Sequence, residues 1–342
     1  MTENKPFSMR LAVPSKGELE RPTLDFLAAA GLRVLRPNER QYVASIPALP
    51  NLQVLFQRVP DILAKVEEGS VDLGITGYDV LREQGEETTN TVILYENLGF
   101  GQCELALAAP ESWVDVSNIE DLAELTLLYK EKGKVIRIAT KYPNLTKKWL
   151  HDLSIYYFAL VEAQGALEAA PSIGYADMIA DITSTGTTLR ENRLKKLSGG
   201  TILKAQACLI GNRRLLCDDP AKLETTRVMV ELIEATLRAR SYLSITANIQ
   251  GASPEAILRD LVKEKALAGV RGPTISKVFS KTIADESWYA VTIVVDQKTL
   301  PQAIDHLRRA GGADITVTSL NYYFDSKSWN FEALLEKIKR AS

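Results

Sequence analysis

The sequence is poor in the residues that build metal centres and disulfide frameworks. It contains three cysteines and two histidines among 342 residues. Cys103, Cys208 and Cys217 are far apart and form no CxxC pair, so the pattern argues against a structural zinc site. An odd and low number of thiols is typical of a reducing compartment rather than of a disulfide-stapled secreted protein.

Strong net charge and long apolar runs are also missing. The 41 Lys and Arg residues are balanced by 43 Asp and Glu residues, for a net charge of −2. This balance gives no general attraction to nucleic acid or to an anionic membrane. No apolar run approaches transmembrane length, and the first residues lack the apolar core of a signal peptide. We therefore expect a cytoplasmic protein with no nucleic-acid or membrane partner.

The order of sequence patterns indicates the class of fold. A chain of this length is expected to form two or three domains. Strand patterns and helix patterns alternate up to about residue 240, which is typical of an α/β fold. From residue 242 onward the patterns follow the order βαββαβ, which predicts a ferredoxin-like unit.

The most informative stretch runs over 168–189. An apolar strand pattern at 178–182, interrupted by Asp181, is followed by Thr-Ser-Thr-Gly-Thr-Thr over 183–188 and a helix pattern over 189–194. Backbone N–H groups, hydroxyls and a helix N-terminus in one turn are the components of a phosphate cradle. Gly186 would supply a positive φ or a close approach of phosphate to bare backbone. Taken alone, such a cluster is more commonly an ordinary capping loop.

Three other turns carry candidate functional residues. Lys16, in a Ser-Lys-Gly turn after the first strand, offers a movable positive charge, and Lys141 follows a strand and faces the start of a helix. Each of them has a plain alternative as a solvated surface lysine. Gly74 lies inside a buried strand pattern and indicates a close approach to the backbone. Asp79, after that strand, is either a candidate residue of an active-site cleft or simply a helix cap.

Read together, these spaced residues resemble the signature of the ATP phosphoribosyltransferase family. The matching positions are Glu168, Gly174, Ala176, Ile179, Asp181, Thr185, Gly186, Thr188 and Leu189. The segments over 72–79, 99–103 and 272–275 are also similar to family motifs, the last to the histidine-binding domain of the long form. Two positions depart from the family pattern, since Glu18 and Glu104 stand where a basic residue is common.

The resemblance implies a fold. It is a two-lobed, periplasmic-binding-protein-like catalytic part followed by a ferredoxin-like (βαββαβ) regulatory domain. We assign residues 1–109 and 195–240 to lobe I, 110–194 to lobe II and 241–342 to the regulatory domain. The resemblance also implies a strand over 166–170, although the propensity of that segment favours a helix. The active site would lie between the lobes, at the carboxyl ends of strands.

The resemblance further implies an activity. It is transfer of the 5-phosphoribosyl group of 5-phosphoribosyl-1-pyrophosphate (PRPP) to N1 of ATP, the first step of histidine biosynthesis, with histidine as feedback inhibitor. Mg²⁺ would accompany the diphosphate, held largely by substrate, and the protein would be a homo-oligomer, a dimer or a hexamer. Cys103 is interpreted as a packing residue and not as a nucleophile.

The implied site residues fall into four groups. PRPP would contact Asp177, Asp181, Ser184, Thr185, Gly186, Thr187 and Thr188, with a surface role as the alternative for Asp177. Glu168, Asp181 and Lys141 would face the reacting centre. ATP would contact Lys16, Gly17, Thr76, Gly77 and Asp79. Histidine would contact Asn248, Val270, Thr274 and Asp314 in the regulatory domain.

A competing class is a non-catalytic solute-binding or ligand-sensing protein, because two-lobed folds also serve transport. That class predicts a secretion signal and requires no phosphate loop. The sequence has the phosphate-loop pattern and lacks the signal pattern, so it favours the enzyme.

Overall fold

The computed structural model describes residues 8–38, 40–85, 90–162, 165, 167–261, 272–279 and 287–339. Its strands are β1 Met9–Pro14, β2 Val43–Ser45, β3 Leu52–Gln57, β4 Leu73–Gly77, β5 Thr91–Tyr95, β6 Cys103–Pro110, β7 Ile136–Thr140, β8 Phe158–Glu162, β9 Met178–Thr183, β10 Leu194–Ala205, β11 Ala207–Asn212, β12 Tyr242–Gln250, β13 Thr274–Val278, β14 Trp288–Asp296 and β15 Gly312–Ser319. Its helices are α1 Glu20–Ala29, α2 Val59–Glu67, α3 Tyr78–Gln84, α4 Ile119–Glu131, α5 Pro143–Asp152, α6 Thr187–Glu191, α7 Arg213–Asp218, α8 Pro220–Ala239, α9 Pro254–Leu261, α10 Leu300–Arg309 and α11 Trp329–Lys339.

Lobe I is built on a six-stranded sheet with the order β2-β3-β1-β4-β11-β5. Strands β1 and β4 are parallel neighbours. The turns that follow them therefore lie at the same edge of the sheet. Helix α2 covers β4 closely, because a Cβ at Gly74 would lie 2.6 Å from Cγ2 of Ile62. The close approach predicted at Gly74 is thus the packing of a helix and not the seat of a ligand.

Lobe II is built on a five-stranded sheet with the order β10-β6-β9-β7-β8. Its core is apolar side chains from β6, β7 and β9 packed against α4 and α5. Both β6 and β10 belong to this sheet, so the chain crosses between lobes over 96–102 and at Gln206. These crossings differ from the assigned boundaries at 109/110 and 194/195, because sheet membership depends on non-local pairing that the strand patterns do not show.

Two local elements differ from the sequence-based expectations. The segment Leu167–Ala169 is a short 3₁₀ helix. The strand that we expected over 166–170 is therefore wrong, and the propensity of the segment was the better guide. Helix α6 begins at Thr187 and has five residues, instead of spanning 189–194. Strands β10 and β11 follow each other directly but belong to different sheets, because the chain passes between the lobes at Gln206.

The region from β12 to β15 forms a four-stranded antiparallel sheet with the order β13-β14-β12-β15. Helices α9 and α10 pack on it through one apolar core. This confirms the ferredoxin-like prediction. By internal contacts, the second compact unit holds residues 29–31 and 228–329, and residues from 330 onward group with the first unit. The contact-based boundary therefore falls inside α8, upstream of the assigned residue 241.

Among the described residues, none of the helices is both long and apolar enough to cross a membrane.

Candidate functional site

The predicted phosphate loop follows β9 as a tight turn stabilised by its own hydroxyls. The Oγ1 of Thr183 accepts a hydrogen bond from the backbone N–H of Gly186 at 2.9 Å, and the Oγ1 atoms of Thr185 and Thr187 are 3.0 Å apart. Ser184, Thr185, Thr187 and Thr188 are exposed. The turn thus presents hydroxyls to solvent, as a phosphate cradle requires.

Arg190 is a loop contact that the sequence reasoning missed. Its Nη2 donates to Oγ1 of Thr187 at 3.2 Å, and its Nη1 donates to the carbonyl of Thr185 at 3.4 Å. Because α6 is a single short turn, its dipole contributes less than expected. The exposed guanidinium of Arg190 brings positive charge to the loop instead. The sequence feature that could have identified Arg190 is its position one helical turn after Gly186.

Gly186 has φ +70°, and a Cβ there would meet only Nη1 of Arg190, at 3.4 Å. The glycine is therefore required by its backbone angle rather than by crowding. If this turn holds the 5-phosphate of PRPP, as the family resemblance implies, Gly186→Ala should raise KM for PRPP by about 5- to 150-fold, because keeping the binding conformation of the turn would cost roughly 1–3 kcal/mol. Steady-state kinetics measures this.

Gly133 provides a matched control for that substitution. It has φ +65° and open space around its Cβ position, in the loop between α4 and β7. Gly133→Ala should lower stability by a similar amount and leave KM for PRPP unchanged. A Gly186→Ala enzyme with normal KM for PRPP would show that the loop does not hold the phosphate.

Asp181, Lys141 and Glu168 act on one another electrostatically. Burial raises the pKa of the Asp181 carboxyl, and the charge of Glu168 raises it further. A hydrogen bond from the backbone N–H of Ile182 and the charge of Lys141 oppose that shift in pKa. The strand register places Lys141 beside Asp181, because Thr140 on β7 pairs with Ala180 on β9.

Asp177 lies away from this group. It precedes β9, whereas the phosphate loop follows that strand, and four residues along a strand span roughly 13 Å. Both of its carboxylate oxygens are bound by the guanidinium of Arg137, at 2.9 and 3.2 Å. The assignment of Asp177 to PRPP assumed helical spacing from Asp181, and the strand removes that basis. The surface alternative, as an ion-pair partner, fits its position.

Two of the candidate ATP residues lie in an open turn. Lys16 and Gly17 are exposed on the turn after β1. Thr76, in contrast, is fully buried, and its Oγ1 donates to the carbonyl of Val59 at 3.2 Å. Its side chain packs against the start of α2, because Val59 is the first residue of that helix. The structure therefore contradicts a side-chain contact between Thr76 and ATP.

Gly77 and Asp79 form the turn from β4 into α3. Gly77 is the N-cap residue of α3 and is buried. Asp79 is 8% exposed, and its Oδ2 accepts a hydrogen bond from the hydroxyl of Tyr142 at 2.6 Å. Burial, followed by the charge of Asp79, raises the pKa of that hydroxyl far above its usual range. Asp79 therefore ties lobe I to lobe II and is not merely a helix cap.

A basic cavity at the same edge of lobe I is the second feature that the sequence reasoning missed. It has a volume of about 420 Å³. Its lining includes Lys16, Arg36, Arg40 and Arg58, with Asp61 as the one acid. Arg36 is held in place by stacking over Phe56, with its Cζ 4.0 Å from the ring centroid. The sequence feature that could have indicated this cavity is a group of three arginines around β2 and β3. These arginines come together only when the strands pair.

The two acidic departures from the family pattern have different surroundings. Glu104 is paired with Lys196 and accepts from Thr201, and the bond from Lys196 lowers the pKa of its carboxyl. Glu18 is exposed near the first turn. Burial, then the charges of Asp79 and Glu18, raise the pKa of the Cys103 thiol to about 12. A thiol with a raised pKa is a poor nucleophile, which agrees with the packing interpretation of Cys103.

The candidate histidine residues are only partly brought together. The Nδ2 of Asn248 donates to Oδ2 of Asp314 at 3.2 Å. Thr274 lies on the edge strand β13, and β14 separates it from β12. The strand order therefore places Thr274 apart from Asp314 within one domain. Val270 lies outside the described residues.

Comparison with known proteins identifies the family. The family model described as ATP phosphoribosyltransferase matches residues 58–235, and the model of the HisG C-terminal domain matches residues 239–322. ATP phosphoribosyltransferase 2, chloroplastic, of Arabidopsis thaliana is 37% identical over 96% of this chain and 80% of its own length. The chain belongs to the ATP phosphoribosyltransferase family.

A further curated relative agrees with this membership. ATP phosphoribosyltransferase of Rhodopseudomonas palustris is 34% identical over 96% of this chain and 98% of its own. A solved ATP phosphoribosyl transferase (HisG:HisZ) complex from Thermotoga maritima aligns over 66% of this chain and 98% of its own, with 25% identity and a TM-score of 0.47. The chain is thus an enzyme of the family for the first step of histidine biosynthesis, a pentosyl transferase, which decides against the non-catalytic class.

Proposed function

We propose that this enzyme transfers the 5-phosphoribosyl group of PRPP to N1 of ATP and releases pyrophosphate. The observation that carries the proposal is the hydroxyl-lined turn after β9, with Asp181 at the end of the same strand. That turn lies on lobe II. The basic cavity around Lys16 lies on lobe I and offers positive charge to a second polyphosphate. Two anionic substrates would thus be held on two lobes.

The exposed hydroxyls and backbone N–H groups of 184–188 bind the 5-phosphate in this proposal, with Arg190 adding charge. The bond from C1 of the ribose to the diphosphate breaks with its electron pair on the diphosphate. N1 of adenine donates its lone pair to C1 as that bond breaks, so positive charge develops on the ribose. The Asp181 carboxylate stabilises that charge, and Lys141 offsets charge on the departing diphosphate.

The carboxylates of Asp181 and Glu168 suit a Mg²⁺ ion, which prefers oxygen ligands and keeps several of them from phosphate and water. When bound with PRPP, the ion would neutralise charge on the diphosphate. Two protein carboxylates would leave most ligand positions of the ion to the substrate and to water.

Product analysis tests the proposal. Incubation with ATP, PRPP and Mg²⁺ should yield, by mass spectrometry, an adduct of ATP and ribose 5-phosphate together with equimolar pyrophosphate. Omitting either substrate should remove both products. Pyrophosphate formed without the adduct would indicate hydrolysis, and the proposed transfer would then be wrong.

The pH dependence of the reaction follows from the surroundings of Asp181. If the ionised carboxylate acts on the ribose, kcat/KM for PRPP falls on the acid side as Asp181 becomes protonated. Burial and Glu168 raise its pKa and Lys141 lowers it. Glu168→Gln should therefore move the acid limb to lower pH, and Lys141→Met should move it to higher pH. The pH profiles are measured at saturating ATP. If the acid limb moved in the same direction in both variants, the fall in kcat/KM at low pH would not come from protonation of Asp181.

We also propose that histidine binds the ferredoxin-like domain and inhibits the reaction from there. Asp314 would accept hydrogen bonds from the ammonium group of histidine, next to Asn248. Because Thr274 lies two strands from β12, its N–H would reach the ligand only as part of a second copy of the domain. The enzyme would then be a homo-oligomer, a dimer or a hexamer, and we propose that it works in the cytoplasm.

Asp314→Asn should weaken histidine inhibition by about 5- to 150-fold, the usual range of an allosteric coupling, and leave activity without histidine unchanged. Inhibition curves at fixed substrate measure the effect. Asp296→Asn on β14, whose carboxylate caps the following turn, serves as the control. Equal histidine sensitivity of wild type and Asp314→Asn would place the histidine site elsewhere.

A further inference from the structure

The start of α5 in lobe II is capped by a residue of lobe I. Tyr142, the N-cap residue, makes no side-chain capping bond of its own. The backbone N–H groups of Asn144 and Leu145 instead donate to Oε1 and Oε2 of Glu83, at 2.8 and 3.0 Å. The side-chain amide of Asn144 returns a bond to the Glu83 carbonyl at 3.2 Å. One carboxylate thus satisfies two amides that a helix leaves unpaired.

A second bond joins the same two elements one turn earlier. Asp79 and Glu83 are four residues apart on α3 and therefore share one face of that helix. The hydroxyl of Tyr142 donates to Asp79, as described above. One face of a lobe I helix thereby holds the segment 142–145 of lobe II at two points. The N-terminus of α5 is consequently occupied by a carboxylate, so the N–H groups of Asn144 and Leu145 are not open to a diphosphate.

The held segment directly follows Lys141. On its other side, the Oγ1 of Thr140 at the end of β7 accepts a bond from the backbone N–H of Tyr142 at 3.0 Å. Lys141 therefore lies between two fixed points, and its charge acts on Asp181. Movement of α3 away from α5 would break the hydrogen bonds that Glu83 and Asp79 accept. The bond between Thr140 and Tyr142, which lies within lobe II, would remain.

Two short covalent connections join the lobes. The first crossing contains Gly99 and Gly101, with φ +72° and +67°, conformations that glycine adopts without strain. The second crossing is the single residue Gln206 between β10 and β11. A contact between α3 and α5 is therefore positioned to decide how far the lobes separate.

We propose that Glu83 is a positioning residue, which caps α5 across the cleft, holds the two lobes closed and fixes Lys141 opposite Asp181. This inference rests on the proposed function for its effect on turnover, and on geometry alone for its effect on α5. The 5-phosphate is bound by the loop, which lies wholly within lobe II, so loss of Glu83 should weaken PRPP binding only through the contact of Lys141 with the diphosphate.

The test compares Glu83→Ala and Glu83→Gln with wild type in the full-length enzyme. Without substrates, hydrogen exchange at Asn144 and Leu145 should accelerate by about 2- to 30-fold in Glu83→Ala, the range that loss of a helix cap implies. In turnover, kcat should fall by a similar factor, and the Kd for PRPP should change less than kcat because the loop still binds the 5-phosphate. Glu83→Gln retains one carbonyl acceptor, so both effects should be smaller, which guards against a variant that fails to fold.

Asp121 provides the control, since its Oδ2 caps α4 within lobe II by accepting from the N–H groups of Ser117 and Asn118, at 2.8 and 3.2 Å. Asp121→Ala should lower stability without changing kcat. Adding Glu83→Ala to a Lys141→Ala enzyme should cause no further loss of kcat.

The outcomes separate this inference from the proposed function. Unchanged exchange at α5 and unchanged kcat in Glu83→Ala would overturn the role of Glu83, whatever reaction the wild type performs. If Glu83→Ala lowered kcat as much in the Lys141→Ala enzyme as in wild type, Glu83 would not act through Lys141. Faster exchange at α5 in an enzyme whose wild type forms no phosphoribosyl adduct would contradict the proposed function and leave the capping contact standing.

Discussion

Asp181→Asn should lower kcat/KM for PRPP by about 100-fold or more, because an amide does not stabilise the positive charge that develops on the ribose. The same variant should be more stable than wild type at neutral pH. Burial raises the pKa of Asp181, so the folded protein holds this carboxylate ionised at a cost. The contribution of this group to stability is therefore present below its unfolded pKa and is lost as pH rises through its folded pKa. Thermal unfolding at two pH values, with kinetics at neutral pH, measures both effects.

Asp177→Asn is the matched control, four residues away in the same segment. Its carboxylate is bound by Arg137, and those hydrogen bonds and charge lower its pKa against the opposing effect of burial. A lowered pKa gives stability that is present above the unfolded value and lost as pH falls through the folded value. Asp177→Asn should therefore destabilise the enzyme at neutral pH and leave kcat/KM almost unchanged. Near-normal turnover by Asp181→Asn, or a large loss in Asp177→Asn, would reverse the two assignments.

Lys222→Met should destabilise the enzyme by about 3–5 kcal/mol, because it leaves a buried carboxylate without its partner. The Nζ of Lys222 on α8 lies 2.7 Å from Oδ1 of Asp72, with the two side chains 17% and 5% exposed. The Oδ2 of Asp72 accepts from the backbone N–H of Arg10 at 2.7 Å. This pair thus ties α8 to β1 and to the start of β4. Urea unfolding followed by circular dichroism measures the loss.

Arg214→Met is the control for that measurement. Arg214 pairs with Asp218 at 3.6 Å, with side chains 81% and 64% exposed. An exposed pair of this kind contributes about 0–1 kcal/mol. Adding Asp72→Asn to Lys222→Met should recover part of the stability, since the unpaired charge is removed. A Lys222→Met enzyme that unfolds like Arg214→Met would show that the pair does not hold lobe I together.

The features that the sequence could predict are those encoded by neighbouring residues. The strand ending at Thr183, the hydroxyl-rich turn and the positive φ of Gly186 all follow from a short local pattern. The βαββαβ order was equally local. Asp181 was identified because it interrupts an apolar run at the point where a strand meets that turn.

The features that the sequence could not predict depend on which strands pair and where long side chains reach. Arg36, Arg40 and Arg58 form one basic cavity only when β3 lies beside β1. Glu83 meets α5 only when the lobes are folded, since 61 residues separate it from Asn144. Thr76 was misplaced because the direction of its side chain depends on which face of β4 is covered.

A crystal structure of the enzyme with PRPP and Mg²⁺ tests the central claim most directly. The account predicts the 5-phosphate within hydrogen-bonding distance of the N–H groups and hydroxyls of 184–188, with a carboxylate oxygen of Asp181 at the ribose hydroxyls. Lys141 should face the diphosphate. PRPP bound with its 5-phosphate in the basic cavity around Lys16 and Arg58, and with the loop after β9 empty, would contradict it.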